Sequence, residues 1–351
     1  MKQFYTFLFL FIGFISFSQE ERLPKYGFKL SNQGGFYKSN FNLKITADSN
    51  VRVFYTLDGS KPSSGSTPYS NSISVNGITT LRVVGYLNGK RLETNTQTYF
   101  TERAYSLPVF SITTDPDNLW SGGRGIYAKG CCADSVQPYY GANFWKGWER
   151  PMNIEMYEPD GTVALNQEAG IRIFGGWSKG LPQKSLTIIA RKKYGKKKFK
   201  YKLLPKLNQK KYKTFILRNA GGDFNKAHLR DAYMTQLVEP IDLEIQEQRP
   251  AIVYLNGKYW GIQYIREKLN EHYLIYTRAT NLKILYPLLS ISQSEIRFNQ
   301  HLARLQKIPR SNEIKNYPID SLALAEGNYK NGLPIDEWKY YENTGELLET
   351  G

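Results

Sequence analysis

The chain has 351 residues, of which 41% are hydrophobic and 14% aromatic, a globular composition with room for two domains. Its formal charge of +16 is unevenly placed, because twelve basic residues and no acidic one lie between Arg191 and Lys213. Two adjacent cysteines cannot supply the four ligands of a zinc site, and His228, His272 and His301 are scattered, so no metal centre is expected.

Lys2 followed by an apolar run from Phe4 to Phe17 and the small-x-small triplet Ser16-Phe17-Ser18 reads as a secretory signal over residues 1–18. The run is about fourteen residues, short of the roughly twenty that a membrane span needs. No later stretch is long and apolar enough to span. The mature chain is therefore expected to be secreted or held at the cell surface.

Residues 23–101 read as all-β. "FNLKITA", "VRVFYTL", "NSISV" and "TLRVVGYL" are short and β-branched, and turn clusters such as Asp58-Gly59-Ser60 and Asn88-Gly89 separate them. This spacing predicts a small sandwich with Leu43, Ile45, Val53, Tyr55, Leu81 and Val83 in its core. The carrying features are Gly35-Phe36-Tyr37, the "YTLDGSKP" turn from Tyr55 to Pro62, Tyr69 and the closing Thr98-Tyr99-Phe100. On them the segment resembles the chitobiase/β-hexosaminidase C-terminal domain, an immunoglobulin- or fibronectin-III-like module. The resemblance implies an accessory domain that acts as a spacer, with contact to a carbohydrate or cell-wall polymer as the alternative.

Leu107-Pro108 reads as an inter-domain joint. Beyond it "PVFSITT", "NIEMYE", "GIRIFGG", "KSLTIIAR", "KTFILRNA" and "AIVYLNGKYWGIQYI" are strand-like. "AHLRDAYMTQLVE" places Leu229, Tyr233 and Leu237 at helical spacing, and "REKLNEHYL" reads as a second helix with Glu267 and Lys268 in its first turn. The whole is an α+β chain whose second domain has an antiparallel sheet and few helices. Cys131 and Cys132 read as two small, half-buried loop residues, with a vicinal disulfide as the alternative in an oxidising compartment.

Five blocks in order carry a second resemblance: Leu107–Tyr127, Trp148–Gly161, Gly170–Gly195, Phe215–Met234 and Arg249–Leu274. Together they look like the CotH family, secreted or spore-coat proteins with a distant kinase fold, over residues 105–274. The resemblance implies phosphoryl transfer from ATP, with Mg²⁺, to Ser or Thr of a surface protein. Such chemistry needs cations on the phosphates and carboxylates on the metal. Lys184, where a glycine-containing loop becomes a strand, is the leading phosphate contact, and Glu267 the carboxylate to orient it. Arg172, Arg218 and Arg230 are further candidates, since guanidinium grips phosphate oxygens in pairs. Arg230-Asp231 echoes a kinase catalytic loop but sits inside the expected helix, which rules Asp231 out as the catalytic base. Asp223 reads as a turn or helix-start residue.

No aspartate pair of the "YDxD" kind follows Leu274, so the expected kinase is weak or inactive, with its second lobe missing. Residues 275–319 read as a linker. Residues 320–351 resemble one MORN-like repeat, with turn dipeptides Asn331-Gly332 and Thr344-Gly345, and Trp338 and Tyr340 on one strand face. A single copy buries too little to stand alone, which points to truncation or fusion. Partners by these readings are an acidic or Ser/Thr-rich surface protein. The alternative to a kinase is a non-enzymatic carbohydrate-binding or adhesion protein. An export signal disfavours nucleic acid, despite the lysines and interleaved tyrosines of the basic run.

Overall fold

The computed structural model describes residues 25–101, 105–238 and 245–269, together with the backbone of 324–330, 333–341 and 347–350. The expected signal at 1–18 and the expected linker at 275–319 lie outside these residues. Residues up to 278 form one compact unit and residues 279–351 another.

The first domain contains nine strands: β1 (Phe28–Leu30), β2 (Gly35–Phe36), β3 (Phe41–Leu43), β4 (Ile45–Ala47), β5 (Val51–Thr56), β6 (Thr67–Pro68), β7 (Ile73–Val75), β8 (Ile78–Leu87) and β9 (Lys90–Phe100). They form a five-stranded sheet, ordered β2-β9-β8-β5-β6, and two short pairs, β1-β4 and β3-β7. The alternation in the sequence explains the core. Leu43, Ile45, Val53, Leu81 and Val83 are buried as expected, while Tyr55 is half-buried against their cluster.

The second domain contains β10 (Val109–Thr113), the short helix α1 (Pro116–Trp120), β11 (Arg150–Tyr157), β12 (Val163–Phe174), β13 (Ser185–Ile189), β14 (Thr214–Arg218), helix α2 (Arg230–Leu237), β15 (Gln248–Leu255) and β16 (Lys258–Glu267). The expectation of an antiparallel sheet needs one correction. The sheet is a closed barrel, ordered β10-β11-β12-β13-β14-β16-β15, and the β10–β15 pairing that closes it is parallel. Closure follows from the side chains. Phe110, Ile112, Ile154, Ile171, Ile188, Leu217, Val253 and Ile265 come from all seven strands and are all buried in one cluster. A sheet apolar on its inner face removes that face from water by curling on itself.

Two further expectations change here. Glu267 does not open a helix; it is the last residue of β16 and is buried. Cys131 and Cys132 are exposed rather than half-buried, and they form a vicinal disulfide. In the second unit, three antiparallel strands, β17 (Leu324–Lys330), β18 (Leu333–Tyr341) and β19 (Leu347–Thr350), form a meander over the expected repeat. The expected turn dipeptides lie outside the described residues.

The expected joint at Leu107-Pro108 is not a loose tether. Phe100 of the sandwich packs edge-on against Tyr157 and Tyr254 of the barrel, with ring centroids 5.7 and 5.3 Å away. Phe100, Val109, Tyr157 and Tyr254 form a core of their own, and Phe36, Tyr105 and Ile252 pack around it. Burying four such side chains across the joint couples the stabilities of the two domains. The sandwich contains no tryptophan, so tryptophan fluorescence is blind to its own unfolding. Leu81→Ala in the sandwich should cost about 2–5 kcal/mol and should lower the denaturant midpoint of the tryptophan-detected transition. A barrel transition left unmoved by Leu81→Ala would show that the domains unfold separately.

Candidate functional site

The register of the barrel decides which candidate residues can meet. Arg172 pairs with Thr187, Thr187 with Ile216, and Ile216 with Arg266, so these four share the outer face of the sheet. Arg218 pairs with Tyr264 and lies on that same face. Lys184 and Glu267 belong to the opposite, inward alternation. Arg172, Arg218 and Arg266 are therefore brought to one surface, and Lys184 is not among them.

Lys184 is 5% exposed at the mouth of the barrel. Its ammonium donates to the carbonyl oxygens of Lys179 and Leu181, at 2.6 and 2.8 Å, and lies 3.9 Å from the centre of the Phe144 ring. Burial, and then the nearby charge of Lys129, push its pKa down to about 8. These contacts make Lys184 the clamp of the loop over Trp177–Gly180. Glu267 is four residues along β16 from Gln263, whose side chain donates to the Lys184 carbonyl. That is about 13 Å at the usual rise of a strand. No ion pair joins Lys184 to Glu267; burial, and secondarily the charge of Glu247, push the Glu267 carboxyl up to about 7.

Instead, the ion pair is on the outer face. Asp231, in the first turn of α2, accepts from Nε of Arg218 at 3.0 Å and pairs with Arg266 at 2.6 Å. Arg266 also donates to the side-chain oxygen of Gln248 on β15. Arg230 pairs with Asp223 at 3.5 Å, and the Asp223 carboxylate accepts from the Arg230 backbone N–H at 3.1 Å. Asp223 thus fixes the start of α2, in keeping with its reading as a turn or helix-start residue. Two guanidiniums around one carboxylate leave the Arg218–Asp231–Arg266 group with one net positive charge.

The helix itself is turned against expectation. Leu229, Tyr233 and Leu237, expected on the packed side, are 60%, 59% and 52% exposed. The reason is electrostatic. Strands β14 and β16 present two arginines outward, and Arg266 is largely buried, so the helix face carrying Asp231 is drawn inward. Beside it, a cleft of about 760 Å³ is lined by Phe224, His228, Pro250, Trp260, Ile262 and Tyr264, among others. Sequence reasoning missed Arg266. The signal was its alternation on β16 with Tyr264, on the face that also carries Arg218.

Among the described residues no three His, Cys, Asp or Glu side chains converge, so these residues offer Mg²⁺ no three-ligand site. No helix among them is long and apolar enough to cross a membrane.

An all-β sandwich followed by a closed barrel with a strand–helix ion pair on its outer face defines a mostly-β α+β protein. Comparison with known families gives the particulars. Residues 171–323 match the model described as CotH kinase protein, and residues 32–98 match the chitobiase/beta-hexosaminidase C-terminal domain. The chain thus carries a CotH kinase domain behind a chitobiase-type domain. The first match starts within β12 and runs through 275–319, the stretch that sequence reasoning assigned to a linker. No curated protein matches the chain.

Asp231→Ala should release α2 and leave two arginines facing each other. The expected cost is roughly 1–2 kcal/mol, below that of a fully buried pair, because Asp231 is 40% exposed. Amide exchange along Arg230–Leu237 should rise in this variant while exchange in β11–β13 stays unchanged. Equal exchange in α2 before and after the substitution would refute the docking role.

Proposed function

We propose that this chain is an exported, surface-associated CotH-type domain that binds ATP and transfers its terminal phosphoryl group to a Ser or Thr of a surface protein. The observation that supports the reading is the Arg218–Asp231 pair, with its cation on a strand and its carboxylate on the following helix. Kinases use a strand lysine and a helix glutamate in the same relation, with the cation holding phosphate oxygens. Arg218 is half-buried and Arg230 is exposed, so both guanidiniums can approach a phosphate that the buried Lys184 ammonium cannot reach. Bound ATP supplies the phosphoryl group. The residues of this chain bind and orient it, with Asp231 holding Arg218 and Arg266 in one geometry.

A second reading, glycan binding by the sandwich, is favoured by one feature. A groove of about 640 Å³ on its outer face is lined by Asn50, Arg52, Phe54, Ser64, Tyr86 and Asn88. Amides and a guanidinium beside an aromatic ring suit a saccharide, whose hydroxyls need partners while its ring face packs on carbon.

Thermal unfolding separates the two readings. ATP with Mg²⁺ at 100 times its dissociation constant should stabilise the chain by about 2.7 kcal/mol. Arg218→Ala should remove most of that gain, and Lys184→Ala should retain the nucleotide dependence. Absence of a nucleotide shift, or a shift indifferent to Arg218→Ala, would overturn the kinase reading. Stabilisation by a chitooligosaccharide that Tyr86→Ala abolishes would favour the second.

A further inference from the structure

The outer edge of β9 faces the barrel, and three of its backbone groups are satisfied there by side chains. The Thr98 N–H donates to Oε1 of Glu155 at 3.1 Å, the Thr98 carbonyl accepts from the Tyr157 hydroxyl at 3.1 Å, and the Thr96 carbonyl accepts from Asn166 at 3.0 Å. Glu155, on β11, is at the centre. Its Oε2 accepts from the Thr98 hydroxyl at 2.6 Å, and its Oε1 accepts from the Tyr157 hydroxyl at 2.5 Å and from Asn166 at 3.4 Å. The Thr98 hydroxyl in turn lies 2.7 Å from that of Ser111 on β10.

What this cluster lacks is a cation. Each of Glu155's hydrogen-bond partners is neutral, and Glu155 itself is fully buried. The groups facing it are Thr98 from β9, Ser111 from β10, Tyr157 from β11 and Asn166 from β12; Tyr99 points the other way, into the sandwich core, but lies near enough to feel its charge. The two tyrosines titrate well above their ordinary range, through burial first and then the charge of Glu155. The cation of the sandwich side, Arg82, is turned toward Glu168 at 3.8 Å. An ionised carboxylate without a counter-ion is costly at such a site, whereas a neutral carboxyl is not. The neutral form also has an outlet for its proton. Glu155 can donate to the Thr98 hydroxyl, which then turns its own proton to Ser111.

We propose that Glu155 is a protonatable latch between the two domains, fastening β9 of the sandwich to the barrel when neutral and loosening that joint when it ionises.

The direction follows from linkage. Burial, opposed by the hydrogen bonds from Thr98 and Tyr157, pushes the carboxyl up to about 7, above its ordinary value of 4.5. A raised carboxyl pKa means that the docked form binds its proton more tightly than the open form. The proton's contribution to docking is therefore complete below about pH 4.5, declines between there and pH 7, and is gone above.

The test is the protection factor of the Thr98 amide in the full chain, measured by hydrogen exchange from pH 4.5 to 8.5 and corrected for intrinsic exchange. Protection should fall on the order of 100-fold across that range. Amides in the β5–β8 ladder should change far less, which separates the joint from global effects such as titration of Glu267. Glu155→Gln should hold Thr98 protection constant with pH. Should that variant fail to fold, Tyr157→Phe removes one donor to the carboxylate and should move the wild-type midpoint to higher pH. A flat wild-type profile, the same fall in Glu155→Gln, or an unmoved midpoint in Tyr157→Phe would overturn the proposal.

Discussion

The parallel pairing of β10 with β15 determines what the rest of the second domain can be. Val109 faces Ile252 and Ile112 faces Leu255 across that ladder, joining strands separated by more than a hundred residues of chain. Without it the sheet would be open, and the apolar inner faces of Phe110, Ile112 and Val253 would meet water. With it, one surface is sealed inside, and the outward alternation of β12, β14 and β16 is left to carry Arg172, Arg218 and Arg266. The same pairing brings Val109 and Tyr254 to the edge that receives Phe100 of the sandwich. Barrel closure and domain docking are thus two results of a single contact.

Once the inner face is filled, the outer face is governed by charge. Two arginines on neighbouring strands repel unless a carboxylate lies between them, and α2 supplies it. The competition at this helix is between burying Leu229, Tyr233 and Leu237 and neutralising Arg218 and Arg266. Each apolar side chain contributes about 1.5–3 kcal/mol when fully buried. Leaving a largely buried guanidinium such as Arg266 unpaired costs about 3–5 kcal/mol. These sums are close enough for the geometry of the strands to decide, and it favours Asp231.

Much of the architecture was legible in the sequence, because period-two alternation reports directly on burial. The strands of both domains and five of the six expected sandwich core residues follow from it. The site was less legible. Lys184 looked like a phosphate contact because it begins an apolar strand after a glycine-containing loop, but alternation already placed it with Leu186 and Ile188, facing inward. Glu267 looked like the first turn of a helix because "REKLNEHYL" has helical composition; a strand ladder with Phe215, and a hydrogen bond from the Gln246 side chain to its carbonyl, hold it instead. Whether a helix turns its apolar or its charged face inward depends on which residues the sheet beneath presents. That requires strand register across four strands, which local spacing does not encode.

The basic run from Arg191 to Lys213 makes the same point about context. Phe199, Leu203, Leu204 and Tyr212 are buried in the barrel core, and Phe199 exchanges two backbone hydrogen bonds with Tyr212 at 2.8 and 2.9 Å. The excursion is therefore pinned by its apolar residues, most of its lysines are left in water, and Glu149 neutralises only Arg191 and Lys193 near its start. Lys184, a few residues upstream, has the same side chain and a different fate. Two backbone carbonyls and an aromatic ring replace its water, and burial lowers its affinity for the proton. The chemistry of a lysine here is set by which carbonyls its strand brings within reach, and charge content alone could not separate the one buried clamp from its exposed neighbours.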